Sequence, residues 1–207
     1  MRGSCVSLAA LPSEPPPAGG TPPSDREIVD GIARGEEWAA DWLYDRVQPA
    51  VDRTLRRILR STGPDYDDLV QTSFERIIAV LSERGLGGSC DLCAWSAAVA
   101  ANIALDALRR RLRERRIFGR AAEPSTPLPA EVNLERRIEA RSEITRIQSL
   151  LAKMKPKYAE AVLLHDVFGH DLSEVATLTG VSVAAAQSRV VRGRKELLRR
   201  SGVEERR

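Results

Sequence analysis

The sequence predicts an all-α protein of two small helical domains joined by a flexible linker, with a helix-turn-helix in the C-terminal domain. Apolar residues recur at helical spacing within residues 25–118 and 135–203, and no strand pattern interrupts them. Residues 119–134 contain three prolines, a composition typical of linkers. Aromatic residues make up only 4% of the chain, which favours small helical units over one large core.

Residues 1–24 differ from the rest of the chain in composition. They contain six prolines, with glycine and serine between them. A segment with so few apolar side chains cannot offset the entropy lost on ordering. We therefore expect a disordered, proline-rich tail.

The first domain begins with apolar positions at helical spacing, interrupted at Gly35. These positions are Ile28, Ile32, Trp38, Trp42 and Val47. Turn residues precede a helix over residues 65–81, whose apolar stripe is Val70, Phe74, Ile77 and Leu81. A glycine-rich stretch then precedes a long helix over residues 91–116, with an apolar side formed by Ala98, Ala101, Leu105, Leu108 and Leu112.

The last quarter of the chain has the layout of a helix-turn-helix, a motif that reads DNA. Four residues of its first helix share one face: Leu172, Val175, Ala176 and Thr179. Gly180 stands where the chain must reverse with a positive φ, and Ser182 can cap the next helix. That helix carries donors suited to base edges and phosphates, including Gln187, Arg189 and Arg192. The alternative is an ordinary helical hairpin with a solvated basic face.

Positive charge is concentrated in two blocks, although the net charge is only +3. Residues 109–116 hold six arginines against one glutamate. Residues 189–200 hold five arginines and one lysine against one glutamate. Two separated basic blocks indicate two contacts with a polyanion. The alternative is that each block is a solvated helix end, where cations also favour the dipole.

Several segments match the motifs of one protein family. Residues 67–77, DDLVQTSFERI, are similar to D-L-V-Q-E-x-F-x-R-V, and residues 94–111 are similar to W-L…A-R-N-x-x-x-D-x-x-R-R. Residues 154–164 and 180–194 are similar to L-P-x-x-x-R-x-V-x-x-L and G-V-S-x-G-T-V-K-S-R-L-x-R-A-R. On these motifs the chain resembles a bacterial RNA polymerase sigma factor of the extracytoplasmic-function (ECF) type. The resemblance covers about residues 25–116 and 135–200.

The resemblance implies that residues 25–118 form a region 2-like domain, which binds the polymerase and the minus-ten promoter element. Its polymerase-binding residues would dock on the coiled coil of the largest polymerase subunit. They are Asp68, Gln71, Thr72, Phe74 and Glu75. Without the resemblance, the same residues read as a solvated face of an amphipathic helix.

The minus-ten element would bind the long helix, where bases leave the stack and need polar partners and cations. The residues implied are Trp95, Asn102, Asp106, Arg109, Arg110 and Arg113. Trp95 has an equally good interpretation as a core anchor. Asn102 and Asp106 lie four residues apart on one helical face, a spacing that allows them to act together.

The resemblance further implies that residues 135–203 form a region 4-like domain, which reads the minus-thirty-five element in the major groove. The implied DNA-contacting residues are Ser182, Ala184, Ala185, Gln187, Ser188, Arg189, Arg192 and Arg194. The chain departs from the family pattern at several positions: Thr72 replaces a Glu, Gln187 replaces a Lys, and Ala159 and Glu160 occupy the place of a common Arg.

Cys90 and Cys93 form a C-x-x-C, and His165 and His170 are the only histidines. A structural zinc site or a redox dithiol would fit these residue types. Small thiols at a helix start are the interpretation we favour, so the sequence predicts no metal and no cofactor. It also shows no catalytic constellation, and we expect a protein that is not an enzyme.

The chain shows no run of about 20 apolar residues, the length that a membrane span requires. We expect a cytoplasmic protein that does not insert in a membrane. The partners implied by the resemblance are core RNA polymerase, promoter DNA and an anti-sigma factor. Two other functions stay open: an autonomous, dimeric helix-turn-helix regulator, and an enzyme with a metal centre at the cysteines.

Overall fold

The computed structural model describes residues 22–60, 63, 65–86, 91–118 and 134–202, and within these ranges all regular secondary structure is helical. The first unit contains α1 (Asp25–Arg34), α2 (Glu37–Leu59), α3 (Tyr66–Arg84) and α4 (Leu92–Phe118). The second contains α5 (Leu134–Lys153), α6 (Pro156–Val162), a π-helical turn (Leu163–Val167), α7 (Leu172–Thr179) and α8 (Val183–Ser201). The all-α prediction is confirmed. The proposed tail up to residue 21, the linker at 119–133 and the glycines at 87 and 88 lie outside the described residues.

Ser24 caps the first helix, α1. Its side chain accepts a hydrogen bond from the backbone N–H of Glu27, and the Glu27 carboxylate accepts one from the Ser24 backbone N–H. This reciprocal pair satisfies two donors that the first turn of a helix leaves free. Ser24, the last residue that the sequence assigned to the tail, is therefore the N-cap of α1.

The core of the first unit lies between α2 and α4, which pack against each other along much of their lengths. Leu43, Val47, Val51 and Leu55 from α2 and Leu105 from α4 are fully buried. The predicted core position Trp42 is wrong: its side chain is 38% exposed, while the neighbouring Leu43 is buried. The reason is that the buried positions of α2 recur every four residues at Ala39, Leu43, Val47, Val51 and Leu55, and Trp42 lies one residue away from that stripe.

Tyr66 joins the start of α3 to the middle of α2. Its hydroxyl donates a hydrogen bond to the Asp52 carboxylate at 2.6 Å, and its ring is 6% exposed. Burial and the neighbouring carboxylate both raise the pKa of Tyr66, so the phenol stays protonated as a donor. Arg56 in turn donates to Asp52 at 2.7 Å and lowers the pKa of that carboxyl.

The second unit contains one element that the sequence did not predict. After α6 the chain widens into the π-helical turn, and the backbone N–H of Phe168 bonds the carbonyl of Leu163 at 3.0 Å. His170 N–H bonds the carbonyl of Leu164, also at 3.0 Å. The turn ends the helix and directs the chain into α7.

Close approach between α6 and α8 depends on Gly193. This residue is buried in the middle of α8, and a Cβ atom there would lie 2.5 Å from Val162 Cγ2 and 2.9 Å from the backbone oxygen of Tyr158. The absence of a side chain therefore sets the distance between the two helices.

The two units pack against each other and share apolar contacts. One continuous cluster joins the core of the first unit to Leu151, Met154 and Val162 of the second. Conversely, Ala98 of α4 belongs to the cluster formed by Ala161, Val175 and other residues of the second unit. The two helical domains thus share an apolar contact surface.

Candidate nucleic-acid and polymerase interfaces

The geometry of α7 and α8 confirms the helix-turn-helix. Asp171 caps α7 by accepting from the N–H of Glu174 at 2.8 Å, and the Glu174 carboxylate accepts from the N–H of Asp171 at 2.9 Å. Gly180 ends α7 with φ of 64°, as expected for a reversing turn. Ser182 then accepts from the N–H of Ala185 at 3.3 Å and begins α8. The motif is held by buried apolar contacts among Val175, Ala176, Ala186 and Val190.

The start of α8 presents an open face. Ala184 and Gln187 are exposed, whereas Ala185, Ser188 and Arg189 are partly buried. Val183 and Val191 are also well exposed, and the sequence-based set of contact residues omitted them. The sequence could have suggested both valines, because apolar side chains on a DNA-reading helix contact the thymine methyl group.

Two of the three arginines predicted to contact DNA have partners within the chain. Arg194 donates from Nε to the Asp166 carboxylate at 3.0 Å and so joins α8 to the π-helical turn. Arg192 is exposed and hydrogen-bonds Tyr158, which lowers the pKa of that phenol. Arg194 therefore helps to stabilise the helix-turn-helix, while Arg192 lies far enough from the core to reach a phosphate.

The predicted residues of α4 lie in different surroundings. Trp95 is half-buried and packs against the core of the first unit, in agreement with the core-anchor interpretation. Asn102 donates to Glu160 of α6 at 2.6 Å, and Asp106 accepts from Arg109 at 2.6 Å. Each therefore has its own partner within the protein. The other two members of the set are exposed: Arg110, which lies 3.6 Å from Asp65, and Arg113.

The predicted polymerase-binding residues form a continuous polar face on α3. Asp68, Gln71, Thr72 and Glu75 are exposed. Gln71 donates to Glu75 at 2.9 Å, and the Thr72 hydroxyl donates to the backbone oxygen of Asp68 at 2.7 Å. These bonds orient the side chains along the helix and leave carboxylate oxygens facing outward.

Beside this face runs an apolar groove between α2 and α3. Phe74 stacks on Tyr44 with ring centroids 4.7 Å apart, and the groove encloses about 430 Å³. Its lining is completed by Ala40, Asp67, Val70, Gln71 and Ile78. Tyr44 is 49% exposed and was not recognised from the sequence. An exposed aromatic ring beside a polar rim is a common feature of protein interfaces.

The cysteines and histidines do not converge within the part of the chain that the structure describes. Cys93 is half-buried at the start of α4 and donates to the backbone oxygen of Arg46, at a distance of 3.4 Å. His165 Nδ1 lies 2.7 Å from the backbone oxygen of His170, and His170 Nδ1 lies 3.3 Å from Glu174. Both histidines thus take part in local hydrogen bonds of the helix-turn-helix. Cys90 lies outside the described residues.

Among the described helices, α4 is long and apolar enough to cross a membrane by length and composition. Half of that apolar stretch is buried within the protein, as in the core helix of a folded domain. The sequence did not single out this run because Asn102 and Asp106 interrupt it.

Comparison with known proteins matches both units. Residues 43–114 match the Sigma-70 region 2 family, and residues 144–197 match Sigma-70 region 4. RNA polymerase sigma factor CarQ from Myxococcus xanthus is 30% identical over 165 residues, covering 79% of this chain and 89% of the relative. The chain belongs to the sigma-70 family. More specifically, it is a sigma factor of the ECF type, and it binds core RNA polymerase and directs promoter recognition.

The sigma factor is also similar to another relative and to two solved structures. ECF RNA polymerase sigma factor SigE from Mycolicibacterium smegmatis is 28% identical over 180 residues, covering 84% of this chain and 68% of the relative. A solved structure of CnrH with the cytosolic domain of CnrY is 23% identical with a TM-score of 0.49, covering 87% of this chain and 99% of that one. Sigma factor RpoE with the anti-sigma factor NepR from Bartonella quintana is 23% identical with a TM-score of 0.44, covering 78% and 96%.

The family assignment separates the functions that the sequence left open. The region 2 match covers both the α3 face and α4 of the sigma factor, which an autonomous helix-turn-helix regulator does not require. The region 4 match covers α6 to α8 up to Leu197 and includes the helix-turn-helix. The autonomous regulator is therefore not favoured.

The Asp166–Arg194 pair gives the sigma factor a measurable pH dependence. Arg194 lowers the pKa of the Asp166 carboxyl, so the pair stabilises the fold above the unfolded-state pKa of about 3.9 and ceases to do so as the pH falls through the folded-state value. Asp166→Asn is expected to lower the free energy of unfolding by about 0.5–1 kcal/mol at pH 7, because the pair is partly exposed. Near pH 3 the difference from the wild type should shrink. Urea titrations of both proteins at pH 7 and pH 3 measure this difference in the free energy of unfolding. An equal difference at both pH values would contradict the stabilising role of the ion pair.

Proposed function

We propose that the sigma factor contacts the minus-thirty-five element through α8, the minus-ten element through α4 and core RNA polymerase through the α3 face. The open reading face of α8 is the observation that carries this proposal. Ala184 and Gln187 project from the first two turns of a helix that Ser182 caps, at the end that enters the major groove in helix-turn-helix proteins.

The polar residues of α8 divide into two kinds of contact. The Gln187 amide presents a donor and an acceptor together, which suits a bidentate contact with adenine. Arg192 and Arg189, farther along the helix, suit phosphates, which fix the position of the protein but carry no sequence information. Ala184 and Ala185 are small enough to let the backbone approach base edges.

Two observations support the roles of α4 and α3. The C-terminal half of α4 carries Arg110 and Arg113 on its exposed surface, where cations can follow a separated strand. The α3 face combines outward carboxylates with the groove around Phe74 and Tyr44, so an aromatic centre lies beside a charged rim. That combination suits a helical partner that carries basic residues.

We further propose that an anti-sigma factor controls the chain. The support is analogy with CnrH and RpoE, which have been solved in complex with CnrY and with the anti-sigma factor NepR. The chain is proposed to act in the cytoplasm, where polymerase and DNA meet, and to contribute binding energy to initiation without catalysing a reaction of its own.

Run-off transcription with purified core polymerase tests the proposal. The full chain is expected to direct initiation from a subset of genomic promoters, and start-site mapping should reveal a shared minus-thirty-five element. Gln187→Ala should relax the preference at one base pair of that element by about 1–3 kcal/mol, or roughly 5- to 150-fold. Arg192→Ala should weaken binding by about the same factor at every promoter.

Two outcomes would contradict the proposal. One is the absence of initiation from every template tested. The other is tight binding to palindromic DNA without polymerase in a mobility-shift assay, which would favour the autonomous regulator.

A further inference from the structure

Three cations surround the side chain of Tyr158, where α6 and α8 meet. The ammonium nitrogens of Lys155 and Lys157 lie 5.9 Å and 5.5 Å from the centroid of the ring, within the range of cation–π attraction. Arg192 of α8 donates a hydrogen bond to the Tyr158 hydroxyl. The three cations are exposed, and Tyr158 is partly buried. These four residues from two elements form one surface, which we call the α6–α8 basic cluster.

The cluster depends on the close approach of α6 and α8. A Cβ atom on Gly193 would lie 2.9 Å from the backbone oxygen of Tyr158, so the two backbones nearly touch beside Arg192. The Tyr158 hydroxyl accepts from the Arg192 guanidinium, and its own proton can be donated to a further acceptor. The phenol therefore orients Arg192 and adds a hydrogen-bond donor of its own.

The acidic side chains between Pro156 and Gly202 have partners outside this cluster. Glu160 accepts from Asn102, Asp166 pairs with Arg194, Asp171 and Glu174 cap α7, and Glu196 pairs with Arg200. The hydrogen bond from Arg192 and the charges of the three cations lower the pKa of the Tyr158 phenol. Concentrated positive charge beside an O–H donor suits an anionic partner.

The backbone of DNA suits the cluster better than an acidic protein segment does. Arg192 already belongs to the contact surface proposed for α8, so the cluster continues that surface onto α6. Phosphate contacts are made by arginine, lysine and tyrosine side chains alike. Each strand of a duplex presents one phosphate per ~3.4 Å of its axis, so cations around a single ring can meet neighbouring phosphates.

We propose that Lys155, Lys157 and Tyr158 bind phosphates of the promoter backbone next to the phosphate contacted by Arg192, so that the minus-thirty-five contact includes α6 as well as α8. This proposal rests on the proposed contact of α8 with DNA. It adds three residues from outside the helix-turn-helix, to which the sequence-based set was confined. The cluster contributes affinity that is equal on every sequence, whereas Gln187 supplies the discrimination between bases.

The salt dependence of DNA binding tests the cluster. The probe is a short fluorescent duplex of random sequence, titrated with the full chain at several salt concentrations and read by anisotropy. Each phosphate that is neutralised contributes about −0.9 to the slope of log K against log salt concentration. Lys155→Ala combined with Lys157→Ala should therefore make the slope shallower by roughly two and weaken binding several-fold at low salt. Lys155→Arg combined with Lys157→Arg keeps both charges and should retain the wild-type slope.

Two further variants separate the hydroxyl from the charges and the site from net charge. Tyr158→Phe keeps the ring beside the two ammonium groups and removes the donor, so it should weaken binding while leaving the slope near that of the wild type, because a neutral hydroxyl releases no counterion. Arg26→Ala removes one cation from α1, where the side chain is 91% exposed, and should leave the slope unchanged. Lys157→Ala, which changes the net charge equally, should make the slope shallower by about one.

The outcomes distinguish this surface from the proposed function. A wild-type chain that binds no duplex at low salt, an unchanged slope in the double alanine variant, or an equal change with Arg26→Ala and Lys157→Ala would each overturn the proposal. An unchanged slope together with reduced initiation by core polymerase would assign the cluster to a protein partner and would also overturn it. If the slopes change as expected but the chain initiates on no template and prefers no sequence, the proposed promoter function fails and the phosphate-binding surface stands.

Discussion

Gly193→Val is expected to remove the folded helix-turn-helix. A Cβ atom at this position would lie 2.9 Å from the backbone oxygen of Tyr158, so α6 and α8 would have to move apart. Overpacking a core costs about 1–3 kcal/mol and sometimes more, and valine adds two further methyl groups where Val162 already lies within 2.5 Å. That loss is a large part of the roughly 5–15 kcal/mol by which domains are stable.

Urea unfolding followed by circular dichroism measures the effect, and run-off transcription should be lost at the temperature where the unit unfolds. Gly193→Ala is the more discriminating test of the packing argument, because packing and helix propensity predict opposite changes in stability. In an exposed helix that change would add about 1 kcal/mol of stability through helix propensity, but here it should cost stability. Val191→Ala, on the exposed side of the same helix, serves as the control and should stay within about 0.5 kcal/mol of the wild type. A Gly193→Ala protein as stable as the wild type would contradict the packing argument.

The helix-turn-helix could be predicted because its determinants are local. The turn at Gly180 and the caps at Asp171 and Ser182 are each formed by residues about four positions apart or fewer. The sequence therefore shows them directly. The same holds for the apolar side of α4, where Ala101, Leu105 and Leu108 are buried as their spacing predicts. Interactions between residues close in sequence thus determine both the helix-turn-helix and α4.

What the sequence did not predict depends on residues far apart in the chain. The bonds Asn102–Glu160 and Gln148–Leu59 join positions 58 and 89 residues apart, and no local pattern indicates which polar side chains meet. Trp42 shows a second limit. Apolar side chains at neighbouring positions such as Trp42 and Leu43 both fit a helical spacing, and only the packing of α2 decides that Leu43 is buried.

The candidate DNA contacts show a third limit. Composition alone treats Arg192 and Arg194 alike, since both are cations on the same basic helix. In the structure Arg194 pairs with Asp166, whereas Arg192 lies beside Tyr158, although both side chains are exposed. The difference arises because residues two apart on a helix point in directions about 200° apart, so only one of them reaches the π-helical turn.

Reversing charge on the α3 face should abolish most polymerase binding while leaving the fold intact. Asp68→Lys combined with Glu75→Lys changes two exposed side chains, so the free energy of unfolding should move by no more than about 0.5 kcal/mol for each. At a charge-matched interface, like charges brought together cost several kcal/mol. We expect the Kd for core polymerase to rise at least tenfold, equivalent to about 1.4 kcal/mol. Fluorescence anisotropy with labelled sigma factor measures this change.

Glu83→Lys provides the matched control for each single reversal, because it changes the net charge by the same amount on the same helix, near its far end and beyond the predicted face. Its Kd should stay near that of the wild type. Tyr44→Ala tests the neighbouring groove: the ring is 49% exposed and stacks on Phe74, so it can act as the aromatic centre of the interface, where truncation typically costs 2 kcal/mol or more. If Glu75→Lys alone and Glu83→Lys, which change the net charge equally, also weaken binding equally, the effect is one of net charge, and the α3 face is not the contact surface. If Tyr44→Ala alone weakens it, the groove is the contact and the carboxylates lie outside it.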